Sequence, residues 1–274
     1  MRPARVTAAP APTGAGATPP IVLVAHGSRD PRAAAATRAL TRAVAAAGSG
    51  TPVFASYLDH SAPHPGQVLR AVADGGHRSV VVVPLLLTAA YHRRVDLPEV
   101  IADARAAGLR IPVRLTEVLG PAGGVVDDLL LAGLRRRLDE AAWRPDAVVL
   151  AAAGTRDARA RLTVDEVADA LGASLGVPCL TAYASAAGPD AGTAVATLRA
   201  GGARRVAVAS YFLAPGRLYE TAVHAARRAG AVAVAAPLWA APELAALVLR
   251  RAVEPTVESA AVTGAGPAGN SQAA

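Results

Sequence analysis

The sequence predicts an α/β protein of two similar domains, each a mainly parallel sheet flanked by helices. Short β-branched runs such as 21–24 (IVLV) and 80–83 (VVVV) are each followed by Ala-, Arg- and Leu-rich stretches long enough for helices. Strands that alternate with helices are typical of parallel sheets, because a parallel connection needs a crossover. The alternation occurs twice, so we expect the order β-α-β-α-β-α-β-α in each half.

An internal duplication accounts for this repetition. Three pairs of segments align at a nearly constant separation, 127 residues for the first pair and 126 for the others: 23–30 with 150–157, 52–59 with 178–185, and 75–80 with 201–206. Such self-similarity has to be considered before any single motif. We therefore interpret the chain as two fused copies of one α/β unit, with a cleft between them.

Composition marks the limits of the two units. Residues 1–19 contain little besides Ala, Pro, Thr and Gly, and residues 254–274 return to Ala, Gly, Ser and Pro, so both are predicted to be disordered tails. The first domain is predicted at 20–142 and the second at 143–253. Each is the size of a small α/β domain.

Hydropathy predicts a protein of the cytoplasm that does not enter membranes. Hydrophobic residues make up 53% of the 274, but Ala and Val dominate them, and no uninterrupted apolar run approaches the roughly 20 residues of a spanning helix. Prolines and glycines interrupt the N-terminal stretch where a signal peptide would need its apolar core. The one cysteine, Cys179, excludes an intrachain disulfide and any thiolate metal site built by this chain alone.

The charge of the chain suits a polycarboxylate ligand better than a nucleic acid. All 28 basic residues are Arg, against 21 acidic residues, and only 3% of residues are aromatic. That leaves little material for base stacking, so we expect no nucleic-acid partner. A guanidinium group matches a carboxylate in bidentate geometry, so an arginine-lined cleft would suit a small molecule with several carboxylates.

Three polar residues follow consecutive predicted strands in the first half. His26 ends the first strand, Asp59 ends the second, and His92 lies in the loop after the third. In parallel sheets ligands bind outside the carboxyl ends of the strands. Two imidazoles and a carboxylate there can bind a divalent metal such as iron, cobalt or nickel, and can accept protons near neutral pH.

The second half has lost all three of these side chains. The aligned positions hold smaller or apolar residues: Ala153 for His26, Ser185 for Asp59 and Leu218 for His92. Because the neighbouring Gly, Arg and Asp of the first motif are kept, we interpret the halves as one active copy and one retired copy. The alternative, ordinary loop histidines in a diverged repeat, stays open at this stage.

Neighbouring residues of the motif have structural interpretations. Gly27 is predicted to form a tight turn with positive φ, and Asp30 with Pro31 to cap and open the next helix. Asp96, before Leu97-Pro98, is interpreted as a helix N-cap first and a functional acid second.

The remaining histidines are given no role in the site. His60 and His64 lie in the loop after Asp59 and can face the cleft, but solvent exposure is the expectation. His77 precedes a strand at the opposite end of the sheet, and His224 is expected to be a surface or packing residue of a helix.

The two motifs together resemble a known family. A first strand that ends in His-Gly-Ser-Arg, followed by 84–98 (PLLLTAAYHRRVDLP), resembles the CbiX/SirB sirohydrochlorin chelatases, which are class II chelatases. The likeness covers nearly all of 20–253 and implies the long form with two fused copies. The metal-handling histidines of that family fall on His26 and His92. Its third, acidic position is commonly Glu and falls on Asp59, a shorter side chain.

The resemblance implies insertion of Fe²⁺ or Co²⁺ into sirohydrochlorin, in sirohaem or cobalamin biosynthesis. The active site would lie in the cleft of a monomer with a pseudo-dimeric fold, without ATP and with no permanently bound cofactor. His26 and His92 would handle the metal and protons, with Asp59 as a third catalytic residue. Residues expected to bind the tetrapyrrole are Ser28, Arg29, Tyr91, Arg93 and Arg94, with a wall and arginines such as Arg217 from the second half.

Two other functions were compared with this one. A phosphohistidine phosphatase would need Arg before His-Gly, but Ala25 stands there. A metal-storage or delivery protein using the same histidines remains the alternative, and it predicts metal binding without tetrapyrrole turnover.

Overall fold

The computed structural model describes residues 18–88, 96–141 and 144–254, and both halves follow the predicted order of strands and helices. The elements of the first half are β1 (Ile21–Ala25), α1 (Pro31–Ala47), β2 (Val53–Tyr57), α2 (Pro65–Asp74), β3 (Val80–Pro84), α3 (Leu97–Ala106), β4 (Val113–Leu115) and α4 (Asp128–Ala141). Those of the second half are β5 (Ala147–Ala152), α5 (Ala158–Leu175), β6 (Cys179–Tyr183), α6 (Ala191–Ala200), β7 (Val206–Tyr211), α7 (Arg217–Arg228), β8 (Ala233–Val234) and α8 (Pro242–Val253).

Each half forms one four-stranded parallel sheet. The strand orders are β2-β1-β3-β4 and β6-β5-β7-β8, so the first strand of each half lies inside its sheet. Ile21 pairs with Val53 on one side and with Val81 on the other. The predicted fold class, two similar domains with parallel sheets and flanking helices, is confirmed.

The helices that follow β1 and β5 begin in the same way. Asp30 caps α1 by accepting a hydrogen bond from the Arg32 N–H at 2.9 Å, and Asp157 caps α5 by accepting one from the Arg159 N–H at 2.9 Å. The predicted cap at Asp30 is confirmed. Asp96 occupies the N-cap position of α3, but its side chain makes no capping hydrogen bond.

The inner strands of each sheet are buried on both faces. In β1, Ile21 and Leu23 contact a central apolar core, whereas Val22 and Val24 contact a separate core with α2 and α3. Successive strand residues point to opposite faces, which explains the alternation. The central core contains residues of both sheets and of α1, α4, α5 and α8. The layers therefore run helices, sheet, shared helices, sheet, helices.

The last helix of each half packs against the other half. Helix α8 contacts α1 and β3 of the first half, while α4 contacts β7, β8 and α5 of the second. Arg251 of α8 is 6% exposed and donates from Nε to the Val118 carbonyl oxygen at 3.0 Å. Because each half contributes its last helix to the other half, the core is continuous between them and the position of one sheet against the other is fixed.

The described helices have no membrane-spanning character. Within 18–88, 96–141 and 144–254, no helix combines the length and the apolar composition needed to cross a bilayer.

We expect Leu247→Ala to destabilise the first half more than the second. Leu247 is 0% exposed in α8, and this helix packs against α1, α4 and β3 of the first half. The loss of unfolding free energy should be about 2–5 kcal/mol, measured by chemical denaturation. Hydrogen exchange should accelerate in β3 before it does so in β7. Val253→Ala, at a position of the same helix that is 78% exposed, is the control and should leave both quantities unchanged. Equal acceleration of hydrogen exchange in β3 and β7 would contradict the prediction that α8 stabilises mainly the first half.

Candidate active site

His26 lies at the carboxyl end of β1, next to the loop that follows β2. Its carbonyl oxygen accepts a hydrogen bond from the Asp59 N–H at 2.9 Å, and its ring Nδ1 lies 3.2 Å from the Gly27 carbonyl oxygen. The side chains of both His26 and Asp59 are exposed. The structure therefore brings together two of the three residues predicted from strand ends.

Gly27 is the reason that the two loops can approach so closely. Its φ is +94°, and a Cβ at this position would lie 1.8 Å from the Asp59 carbonyl oxygen. Gly154 repeats the arrangement in the second half, with φ +98° and a Cβ position 1.9 Å from the Ser185 carbonyl oxygen. The predicted positive φ of Gly27 is confirmed. The two loops have the same backbone arrangement in both halves although the side chains around them differ.

Asp59 is in contact with the residue that follows it. Asp59 Oδ1 accepts a hydrogen bond from the backbone N–H of His60 at 2.7 Å, and His60 Nδ1 lies 3.3 Å from the same oxygen. The ring centroids of His60 and His26 are 6.5 Å apart, with a tilt of 50°. His60 therefore lies beside the predicted site. The adjacency of His60 to Asp59 in the sequence could have indicated that it lies there.

The other three histidines lie away from this group. The ring of His64 caps α2 by accepting a hydrogen bond from the Gly66 N–H at 3.4 Å, so its role there is structural. His77 is 8% exposed, and within the described residues its Nε2 has no hydrogen-bond partner. His224 is exposed on α7, with Nδ1 2.7 Å from the Glu220 carbonyl oxygen.

Ser28 has a structural role in the turn after β1, whereas Arg29 is exposed. The Ser28 hydroxyl accepts a hydrogen bond from the Asp30 N–H at 3.0 Å, and Thr155 accepts one from the Asp157 N–H at 3.1 Å. Because the retired half keeps this bond, it accounts for Ser28 as part of the turn. Arg29 is exposed beside the site. Their predicted contacts with substrate stay predictions.

Four predicted residues lie outside the described part of the chain: Tyr91, His92, Arg93 and Arg94. Within 18–88, 96–141 and 144–254, no group of three or more His, Cys, Asp or Glu side chains is arranged to hold a metal ion. Cys179 offers no thiolate near neutral pH, because burial raises the pKa of its thiol to about 12. Metal binding by the described residues therefore depends on nitrogen and oxygen ligands, as the sequence predicts.

A pocket beside His26 is built by both halves. It has a volume of about 160 Å³, and we call it the His26 pocket. Its lining includes His26, Gly27 and Tyr57 from the first half and Leu213, Ala214 and Trp239 from the second. The second half thus supplies part of the wall, through residues that sequence reasoning did not identify.

Trp239 is the unusual member of this wall. Its φ of +43° is uncommon for a large side chain. Its indole Nε1 is buried and has no hydrogen-bond partner among the described residues. An unpaired buried N–H is costly, so such groups point to a ligand or a water that completes them. In a chain with two tryptophans this residue could have been singled out from the sequence.

The second half carries a matching pocket without the histidine. This Ala153 pocket has a volume of about 210 Å³, and Ala153 and Gly154 take the places of His26 and Gly27 in its lining. Tyr211 also lines it and donates a hydrogen bond from its hydroxyl to the Leu87 carbonyl oxygen at 2.8 Å. Burial raises the pKa of the Tyr211 phenol, which keeps it protonated. Metal-binding groups are thus concentrated on one side of a pseudo-symmetric pair.

An ion pair joins the halves close to the His26 pocket. Arg32 donates to Asp30 at 2.7 Å and to Glu220 of α7 at 2.9 Å. The guanidinium of Arg32 lowers the pKa of the Asp30 carboxyl through hydrogen bonds. Arg32 is therefore engaged in ion pairs that connect α1 with α7.

The sequence comparison agrees with this architecture. The sequence profile of the CbiX family matches residues 20–141 and, a second time, residues 147–255. This chain belongs to the CbiX family. The two matches correspond to the two halves and confirm the resemblance drawn from the motifs.

Solved structures share the fold of the whole chain. SirB from Bacillus subtilis with Fe³⁺ superposes with a TM-score of 0.73 at 22% identity, covering 85% of this chain and 94% of that one. SirB from Bacillus subtilis subspecies spizizenii in complex with cobalt gives 0.72 at 21% identity, covering 86% and 94%. CbiX, described as the terminal enzyme of sirohaem biosynthesis in denitrifying bacteria, gives 0.60 at 20% identity, covering 85% and 97%. No curated protein sequence matches the chain significantly.

We expect Gly27→Ala to weaken Co²⁺ binding by at least tenfold, because the added Cβ forces the His26 and Asp59 loops apart. Titration of the full chain with Co²⁺, followed by its d–d absorption, measures the effect. Gly154→Ala is the matched control, since it makes the same clash in the half that lacks the histidine. If both variants bind Co²⁺ equally well, the approach of the two loops does not build the metal site.

Proposed function

We propose that this chain inserts a divalent metal, Fe²⁺ or Co²⁺, into sirohydrochlorin without ATP. The observation that carries the proposal is that the backbone contact between the His26 and Asp59 loops lies beside a pocket whose opposite wall comes from the second half. Membership of the CbiX family supports it. Structures of SirB with Fe³⁺ and with cobalt, which share the fold, support the choice of metals.

Metal insertion requires a ligand for the incoming ion and a proton acceptor at the same place. A macrocycle loses two N–H protons as its nitrogens bind the metal, and a neutral imidazole can act first as ligand and then as base. We assign these roles to His26 and to His92, whose position lies outside the described residues. Asp59, whose backbone N–H donates to the His26 carbonyl oxygen, is assigned as the third catalytic residue.

The His26 pocket would hold the edge of the macrocycle and leave the rest of the cleft for its bulk. Its volume of about 160 Å³ is below the range of roughly 300–1,000 Å³ usual for pockets that enclose a drug-sized ligand. Trp239 lines this pocket, and we assign its indole ring to contact with the substrate. Arg29, Arg93 and Arg94 are proposed to bind further carboxylates, with Tyr91 and Ser28 at the rim.

The choice between iron and cobalt is not encoded in the ligand types. Imidazole and carboxylate ligands accept either ion, and in cells metal availability governs selectivity more than affinity does. The product would be sirohaem with iron, or a cobalamin precursor with cobalt. We further propose that the protein works as a monomer, because the two halves already provide both walls of the cleft. We also propose that it works in the cytoplasm.

We expect His26→Ala and His92→Ala each to lower the rate of sirohydrochlorin metallation by about 100-fold or more, since each removes a ligand and a proton acceptor. The change of the tetrapyrrole absorbance on adding Fe²⁺ or Co²⁺ under anaerobic conditions measures the rate. His224→Ala, at an exposed position of α7, should match the wild type.

Three results would contradict the proposal. Wild-type rates in both active-site variants would remove the catalytic assignment. Stoichiometric metal binding by the wild type without any turnover would favour a storage or delivery protein. A requirement for a nucleotide would contradict the ATP-independent mechanism.

A further inference from the structure

We propose that His60 is a ligand of the incoming divalent cation, and that Asp59 orients the imidazole of His60 from behind. The cation would thus be received by His26 and His60 at the carboxyl ends of β1 and β2. This inference rests on the proposed function for its biological meaning. It concerns metal binding alone and can be tested without the tetrapyrrole.

The first observation is the contact between the imidazole and the carboxylate. His60 Nδ1 lies 3.3 Å from Asp59 Oδ1. A histidine that binds a metal commonly donates its other ring N–H to a carboxylate, which fixes the tautomer and the direction of the ring. Because His60 Nδ1 is the ring nitrogen in contact with Asp59, Nε2 is the ring nitrogen left for a metal ion.

The position of Asp59 supports this division of roles. The same oxygen that faces the His60 ring also accepts the backbone N–H of His60 at 2.7 Å. The carboxylate is therefore held against its own loop. The imidazole of His60 is longer than the carboxylate of Asp59, and its ring centroid lies 6.5 Å from that of His26.

The distance between the two imidazoles fits an open two-histidine site. Their ring centroids are 6.5 Å apart. Two imidazoles on one ion, each at about 2.1 Å, place their centroids roughly 5–6 Å apart, which is close to the observed separation. The described residues contain no ready-made set of three ligands. A site with few protein ligands suits an ion that must next be transferred to a macrocycle.

The repeat shows that the loop itself does not need a histidine at this position. His60 has φ +59°, and its counterpart Ala186 has φ +62°. The same tight turn closes both loops. The Ser61 N–H donates to the backbone carbonyl oxygen of Asp59 at 2.7 Å, and the Ala187 N–H donates to that of Ser185 at 2.7 Å. Because alanine forms the same turn, the imidazole of His60 contributes chemistry and not loop structure.

The retired half has lost His60 together with its neighbours in the site. The second half carries Ala153, Ser185 and Ala186 where the first carries His26, Asp59 and His60. Ser185 donates a hydrogen bond from its hydroxyl to the Ala153 carbonyl oxygen at 2.8 Å, so its side chain is bonded to the backbone of the loop after β5. Three side chains able to bind or orient a cation are therefore replaced at once, while the backbone of both loops is retained.

A double-mutant cycle on Co²⁺ affinity tests the proposal in the full chain. We expect His60→Ala to weaken Co²⁺ binding by at least tenfold, and Asp59→Asn to weaken it by about tenfold, in the range found for residues that orient ligands. If Asp59 acts through His60, Asp59→Asn should add almost nothing once His60 is alanine. Isothermal titration and the d–d absorption of bound Co²⁺ give the affinities.

Folding and specificity have their own controls. His60→Ala reproduces the residue that forms the same turn at Ala186, so its thermal unfolding should match the wild type. His224→Ala removes an exposed histidine far along the chain and should bind Co²⁺ as the wild type does.

The inference is overturned if His60→Ala leaves the Co²⁺ affinity unchanged, or if the effects of His60→Ala and Asp59→Asn are additive, which would make Asp59 an independent ligand. Failure of the proposed function has a different appearance: wild-type protein would bind Co²⁺ through His60 yet would not metallate sirohydrochlorin.

Discussion

The structure depends on the single apolar core that the two halves build together. Each sheet buries one face against helices of its own half, but the inner faces are covered jointly, with α8 against the first sheet and α4 against the second. Since neither inner face is covered by the helices of its own half alone, the halves cannot shift independently. The cleft between the strand ends is consequently set by the packing of the core, and it does not depend on a flexible connection.

Within that frame, one glycine decides the geometry of the site. The strand ends of β1 and β2 are neighbours in any sheet of this order, but the loops after them touch because Gly27 allows its backbone to lie against the Asp59 carbonyl. The same contact at Gly154 shows that the duplicated unit carried this arrangement before its halves diverged. The two halves differ in the side chains of these loops, His26 and Asp59 against Ala153 and Ser185, while the backbone arrangement is the same.

The asymmetry of the pockets follows from this history. The His26 pocket receives Trp239 from the half that has lost its own histidine, and the Ala153 pocket is lined mainly by apolar groups and by Tyr211. A duplicated protein can use one half for chemistry and the other for shape. The buried N–H of Trp239, which has no hydrogen-bond partner within 18–88, 96–141 and 144–254 and is held at a positive φ, is a cost that binding of a ligand would offset.

The sequence by itself determined the duplication, the alternation of strands and helices, and the placement of His26 and Asp59 at neighbouring strand ends. These features are local, or they repeat at a fixed spacing, so periodicity and self-alignment reveal them. The tertiary structure alone decided that α4 and α8 each pack against the other half, that Trp239 and His26 line one pocket, and that the His60 ring lies 6.5 Å from His26 with Nδ1 3.3 Å from Asp59. Each of these depends on contacts between distant segments or on one backbone angle. No local pattern encodes such contacts, since Ala186 adopts the angle of His60 equally well.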